Sequence, residues 1–255
     1  EITGVWTADT VRSGFMRLPS GAEYAGGILK KRNTEVEPRL LEWLEARAEA
    51  GDPHAQFFLG TAYTDYSRPL PDPFRATAFF RSAARGGVPD GQYRLALLLL
   101  NKTPDQALAW LERAAESGHA QANALLGEYY LTGQYVEADV ERAVGYLEAG
   151  SAAGNMNARN NLAWVLATSE VSPDPERALA LIRPLVLSEG GWQHFDTLAA
   201  AYAATLDFNQ AVRAQTVAIR EARQMQTDER TVAQMLGRLA DYESLRESAE
   251  QTQEN

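Results

Sequence analysis

The side chains that could perform chemistry are few in kind: three histidines, 34 carboxylates and no cysteine. The lack of cysteine removes disulfides, thiolate zinc sites and cysteine nucleophiles together. The sequence contains no G-x-S-x-G nucleophile elbow, phosphate-binding loop, G-x-G-x-x-G turn or H-E-x-x-H zinc motif. We therefore expect no catalytic, cofactor-binding or metal-binding residues, and no cofactor.

The histidines do not suit a shared metal site. His54 and His119 lie just after glycines that recur along the chain, and His194 lies in the last and weakest copy of the recurring segment. Stacked helices are spaced by about 10 Å, so side chains one repeat unit or more apart do not meet at one ion. We interpret the three histidines as turn or packing residues.

Charge and hydropathy exclude two classes of partner. The 255 residues include 24 basic and 34 acidic side chains, a net charge of −10, and only three lysines, Lys30, Lys31 and Lys102. Broad nucleic-acid binding needs a basic surface that this composition does not supply. No run of 18 apolar residues occurs, so we expect no transmembrane segment.

Two features of the sequence bear on the cellular compartment. The chain starts at Glu1 rather than at methionine, and it lacks cysteine. We expect a periplasmic or cell-envelope location in a bacterium, with the cytoplasm as the alternative. A signal peptide or lipid anchor before Glu1 is left open.

Internal repetition in the sequence predicts the helices that would position any functional side chain. Five similar segments are anchored by glycines, spaced by 36, 31, 36 and 36 residues. These are Gly51, Gly87, Gly118, Gly154 and Gly190. Each unit contains two amphipathic segments, and the glycine is placed to end one helix in the left-handed conformation. One helix pair cannot bury its apolar face alone, so the pairs are predicted to stack.

Each unit repeats the same apolar framework. A leucine stands eight residues after each glycine: Leu59, Leu95, Leu126, Leu162 and Leu198. The next residue is always small: Gly60, Ala96, Gly127, Ala163 and Ala199. A bulky residue follows four positions after the leucine: Tyr63, Leu99, Tyr130, Leu166 and Tyr202. Offsets of four place these side chains on one helical face, and the small residue admits a neighbouring helix.

These units resemble the Sel-one-like repeat, a relative of the tetratricopeptide repeat. The clearest copy runs from Leu126 to Gly154. It carries Leu126, Gly127, Tyr130, Gly133, Val136, Asp139, Ala143, Ala153 and Gly154 at the family positions. The last helix pair is more similar to a tetratricopeptide unit, and the second and fourth units depart from the pattern with Ala96, Leu99, Ala163 and Leu166.

The resemblance implies an all-α fold, a right-handed α/α solenoid of helix pairs with a short irregular N-terminal segment. We divide the chain into an irregular or short-hairpin segment over residues 1–36, a repeat solenoid over 37–247 and a polar tail over 248–255. Proteins of this family are mostly adaptors that hold other proteins, including envelope and secretion complexes. The resemblance thus implies a non-catalytic scaffold, in an envelope, secretion or polysaccharide-export complex.

A partner-binding groove is implied by the related tetratricopeptide family, in which first-helix residues beside the packing face line the inner groove. Carried onto this sequence, the groove residues are Phe57, Thr61, Asp65, Tyr93, Leu97, Asn101, Glu128, Thr132, Asn160, Trp164 and Asp196. Aromatic, amide and carboxylate side chains of this kind suit a peptide or a protein protrusion. We expect a monomer or weak homodimer that binds a protein or peptide.

Alternatives remain for individual residues and for the whole chain. Tyr93 and Trp164 are more often inter-helix packing residues than ligand contacts, and Glu128 and Asp65 suit a solvated surface. Asn160, in the run "NMNARNN", suits a helix cap as well as a peptide clamp. For the whole chain, the alternative is a carbohydrate-binding module or helical carbohydrate-active enzyme that uses the acidic, aromatic groove.

Overall fold

A computed structural model describes residues 2–7, 10–17, 23–25, 38–64 and 72–253. The first three ranges form an antiparallel sheet of order β1-β2-β3, with β1 at Ile2–Thr7, β2 at Thr10–Arg17 and β3 at Glu23–Ala25. Gly4 pairs with Gly14 and Met16 with Tyr24. The strands lie within the N-terminal segment predicted from the sequence.

The rest of the described chain is helical, as predicted. The helices are α1 Pro38–Glu49, α2 Pro53–Thr64, α3 Pro73–Arg85, α4 Pro89–Leu99, α5 Pro104–Glu116, α6 Ala120–Thr132, α7 Val140–Ala152, α8 Met156–Thr168, α9 Pro175–Glu189, α10 Trp192–Ala204, α11 Phe208–Gln224 and α12 Glu229–Gln253. The last helix continues to Gln253, through most of the stretch assigned to a polar tail.

The chain divides into two compact units, residues 1–123 and 124–255, which are described separately. In unit 1, each of the helices from α1 to α5 contacts the next one along the chain. In unit 2, successive helices from α7 to α12 do the same, and α8 also contacts α10. This stacking of helix pairs confirms the predicted α/α solenoid.

The recurring glycines make the predicted turn in four of the five units. Gly51, Gly87, Gly118 and Gly154 have φ between 78° and 88°, a region that favours glycine. In the last of them, the N–H of Gly154 donates to Ser151 O and the N–H of Asn155 to Gly150 O, a Schellman motif. Gly190 differs, with φ 4°, and a second glycine follows it. The left-handed cap is therefore missing from the weakest unit.

In two units the small residue after the leucine is a glycine that packs under a large side chain of the next helix. A Cβ atom placed on Gly127 would lie 2.6 Å from Cγ and Cδ2 of Leu147, which is fully buried. On Gly60, a Cβ atom would lie 2.7 Å from the ring of Phe80. These contacts explain why glycine stands next to the leucine in these two units.

Aromatic stacking joins the two helices of a pair. Tyr63 stacks on Phe79 with ring centroids 5.8 Å apart, and Tyr130 stacks on Tyr146 at 5.6 Å. Arg142 Cζ lies 4.2 Å from the Tyr130 ring centroid. Tyr63 and Tyr130, which stand four positions after the repeat leucines, thus pack on aromatic side chains of the next helix. Such a ring pair stabilises the fold by about 0.5–1.5 kcal/mol in addition to the contribution of the apolar area that it buries.

Candidate functional site

The predicted groove residues of unit 1 lie on α2, α4 and the turn that follows α4. Phe57 is half-buried, with its ring centroid 5.9 Å from that of Phe80, and Thr61 Oγ1 donates to Phe57 O at 3.1 Å. Leu97 and Asn101 are exposed. We call Phe57, Thr61, Tyr93, Leu97 and Asn101 the unit 1 face. Asp65, the remaining predicted residue there, lies outside the described residues.

Tyr93 of the unit 1 face contacts a buried polar cluster. Its ring stacks on the His119 imidazole with centroids 4.7 Å apart. His119 is the N-cap of α6, since its Nδ1 accepts the Ala122 N–H at 3.1 Å. The other ring nitrogen, Nε2, lies 3.5 Å from Asp90 Oδ1. This arrangement places His119 as a turn and packing residue, the role interpreted from the sequence.

The predicted residues of unit 2 lie on α6, α8 and α10. Glu128 and Thr132 are exposed, and Thr132 Oγ1 donates to Glu128 O at 2.9 Å. Asn160 and Trp164 are half-buried one turn apart on α8, and Asp196 on α10 is buried. We call these five residues the unit 2 face.

Asn160 has one acceptor that the described protein atoms leave unpaired. Its Nδ2 approaches Asn161 Oδ1 at 3.5 Å, while its own Oδ1 is buried without a hydrogen-bond partner. Asn155, in the same run, is the N-cap of α8 and accepts the Ala158 N–H at 2.8 Å. The helix cap that the run suggested is therefore Asn155 and not Asn160, because a cap requires the residue just before the helix.

Arg238 on α12 joins two predicted residues that are far apart in sequence. Its Nη2 donates to Asp196 Oδ1 at 2.8 Å and to Oδ2 at 2.7 Å, and its Nε donates to Oδ1 at 3.3 Å. Its Cζ lies 5.3 Å from the centroid of the Trp164 ring. A guanidinium thus binds a carboxylate and an aromatic face at the same time. Arg238 was not among the residues predicted from the sequence.

Gln215 on α11 completes this network. The side chain is fully buried, and its Nε2 lies 2.8 Å from Asp196 Oδ1 and 3.1 Å from Met235 O on α12. Burial raises the pKa of Tyr242, one turn after Arg238, to about 12; Arg238 opposes the rise, and Asp196 and Asp241 add to it. The unit 2 face is therefore already in contact with a helix of the same chain.

A metal or membrane role finds no support in the part of the chain that the structure describes. Within those residues, no three His, Asp or Glu side chains converge as metal ligands would. No helix there is both long and apolar enough to cross a bilayer. The arrangement as described offers aromatic, amide and carboxylate groups for recognition.

Comparison with known families decides the relationship suggested by the repeats. The Sel1 repeat model matches residues 53–88, 89–119, 120–155 and 157–183. The chain belongs to the Sel1 repeat family. The first three matches each contain one helix pair, from α2–α3 to α6–α7, and the fourth contains α8 and most of α9. Sel1 repeat proteins are generally scaffolds for protein–protein interaction and are generally non-enzymatic, which supports the scaffold prediction at the level of the family.

Relatives of known structure share the fold. A Sel1 repeat protein of Oxalobacter formigenes is 29% identical, with a TM-score of 0.57 over 71% of this chain and 78% of that one. A protective antigen of uropathogenic Escherichia coli with an SLR fold is 20% identical, with a TM-score of 0.58 over 79% of this chain and 48% of that one.

One curated relative is much longer than the part of it that this chain matches. An uncharacterized protein of Neisseria meningitidis serogroup B is 26% identical over 147 residues, which are 44% of this chain and 31% of that protein. This chain thus matches under a third of the length of that relative.

Proposed function

We propose that this Sel1 repeat chain is a non-catalytic scaffold that binds a protein or peptide partner through its first-helix faces, within a bacterial envelope complex. The observation that carries the proposal is the seating of α12 on the unit 2 face. Trp164 and Asp196, both predicted from the sequence to bind a partner, contact α12 through Arg238. Side chains at these repeat positions are therefore able to recognise a polypeptide.

The unit 1 face offers the same kind of surface. Leu97 is 37% exposed although leucine is apolar, and it lies on α4 at the position two residues after the packing leucine, Leu95. Phe57 occupies the equivalent face of α2 and is half-buried. Half-buried aromatic and apolar side chains beside amides are the usual anchors of a peptide or protein contact.

The test is a pair of matched variants in the full-length protein. Leu97 and Leu98 are neighbours on α4 with 37% and 41% exposure, but they point about 100° apart around the helix. Affinity purification from cells that express the protein at its native level should recover a partner with wild type and Leu98→Glu. Leu97→Glu should reduce recovery by about tenfold or more.

Either of two results would contradict the proposal. One is the absence of any partner above background with the wild-type protein. The other is equal loss, or equal retention, of the partner with Leu97→Glu and Leu98→Glu. Circular dichroism of both variants controls for folding, since each replaces a leucine of similar exposure on the same helix.

The proposed envelope location has its own test. The absence of cysteine supports this location, because the chain presents no thiol that an oxidising compartment could pair wrongly. Fractionation of cells that express the full-length protein should place it with periplasmic or membrane-associated markers. Recovery with cytoplasmic markers alone would contradict the location without affecting the scaffold proposal.

A further inference from the structure

The last helix of unit 2 is bound differently from the helices before it. Its first half packs on α11, where Met235 meets Ala218, Ile219 and Ala222. Three residues after Met235, Arg238 contacts Asp196 and Trp164 on the unit 2 face instead of α11. The helix therefore has two attachments, one to its neighbour in sequence and one to the face used for recognition.

The attachment of α12 buries little apolar surface. Between residues 229 and 252, only Met235 and Tyr242 are buried, and every residue from 243 to 252 is exposed or half-exposed. By contrast, α11 buries five apolar residues and Gln215. Since apolar burial is the main source of stability, α12 gains little from it for a helix of 25 residues, fewer buried apolar side chains per residue than any other helix of this unit.

Tyr242 of α12 packs into the apolar core of this unit, but the contact that α12 makes with Asp196 is polar. This polar contact is formed by the Asp196 carboxylate, the Gln215 amide and the Arg238 guanidinium. A permanently closed contact gains little from such groups, because desolvation offsets their attraction. Polar groups of this kind are typical of surfaces that also meet water or exchange partners.

We propose that α12 is a displaceable helix that occupies the unit 2 face in cis and competes there with a partner helix of the same chemistry. That partner helix presents an arginine and, four residues later, an aromatic residue, as Arg238 and Tyr242 do. The arginine enters the space between Trp164 and Asp196. The inference rests on the proposed scaffold function only for the existence of the external partner.

The turn before α12 permits this movement. Residues 225, 226 and 228 are exposed, and Gln226 has φ 55°, which a non-glycine residue adopts at some cost. A change of backbone conformation in this turn would move α12 away while α8 stays packed on α9 and α10.

The test uses the full chain and a labelled peptide with the sequence of residues 229–253. In the wild-type protein, the tethered helix has an effective concentration in the millimolar range and excludes the peptide. Arg238→Ala should weaken the cis contact, so that the peptide binds at least tenfold more tightly than to wild type in fluorescence anisotropy. Arg230→Ala, an exposed position on the same helix, serves as the matched protein control and should behave as wild type.

A control peptide with Arg238→Ala and Tyr242→Ala should bind none of the proteins. Hydrogen exchange provides the second measurement. In the Arg238→Ala protein, amides of α12 should exchange at least tenfold faster, while those of α8 and α10 keep their protection.

Three results would overturn the proposal. The first is peptide binding that is absent, or equal for wild type and Arg238→Ala. The second is parallel loss of protection in α8, α10 and α12, which would make α12 an inseparable part of the unit. The third is binding of the control peptide as tightly as the wild-type sequence.

If Arg238→Ala does not fold, Arg238→Lys takes its place, because lysine keeps the charge but loses the bidentate and stacked geometry. None of these measurements needs an external partner. If the partner search fails, the peptide and exchange measurements still test whether α12 is displaceable. The two proposals can therefore be contradicted independently.

Discussion

Replacing Gly127 by alanine is expected to destabilise unit 2, although alanine is the better helix former. The new methyl group would lie 2.6 Å from Cγ and Cδ2 of Leu147, a distance that real side chains do not tolerate. Leu147 is fully buried in a core that also contains Leu162, so it has little room to withdraw. The substitution therefore forces α6 or the Leu147 side chain to move.

The size of the effect follows from two opposing contributions. Overpacking a well-filled core costs about 2 kcal/mol. Replacing a mid-helix glycine by alanine returns about 1 kcal/mol. The expected net loss in the free energy of unfolding is about 1 kcal/mol. Gly145 on α7 isolates the second contribution, since it is exposed and a Cβ atom there would meet no atom within 4 Å.

Urea denaturation followed by circular dichroism measures both variants. Gly145→Ala should be more stable than wild type by about 0.5–1 kcal/mol, and Gly127→Ala less stable by about 1 kcal/mol. The two substitutions are chemically identical, so their difference of roughly 2 kcal/mol reports the Leu147 contact. A Gly127→Ala protein as stable as Gly145→Ala would refute the packing argument.

Three further outcomes are expected. Leu206 is 74% exposed with φ 63°, so Leu206→Gly should stabilise the protein by about 1 kcal/mol in the same urea assay; a loss of stability would contradict the cost assigned to that backbone conformation. Asn155→Ala removes the N-cap of α8 and should cost about 1 kcal/mol, whereas unchanged stability would show that the bond to Ala158 is dispensable. Tyr242 should titrate near pH 12 by ultraviolet absorbance. Burial holds the pKa of Tyr242 above the ordinary value of about 10, so the contribution of the neutral phenol to the folding free energy is fully present below pH 10. This contribution is lost as the pH rises through about 12, and a titration midpoint near 10 would contradict the burial of Tyr242.

The repeat geometry could be predicted because each residue type has one physical reason to be where it is. Gly154 adopts a positive φ that excludes most other residues, and Gly127 leaves space for Leu147. The turn at Leu206 could not be predicted in this way. The same pair of hydrogen bonds forms there without glycine, so the sequence carries no signal at that position.

The contacts of the unit 2 face were only partly predictable. Repeat register predicts that Trp164 and Asp196 lie beside the packing face of their helices, but it does not state which segment contacts them. A signal did exist in α12, where Met235, Arg238 and Tyr242 recur at helical spacing and place the arginine on the apolar side.

Length variation in the repeats is confined to one kind of connection. The glycine turn between pairs keeps its length from Gly51 to Gly154, while the 31-residue unit has only the short link 100–103 between its neighbouring helices α4 and α5. The corresponding link 133–139 is longer and mostly exposed. An epitope or fluorescent tag inserted into residues 133–138 would thus lengthen a connection whose length already differs from one repeat to another. The same graft at a glycine turn would alter the spacing on which every later pair depends.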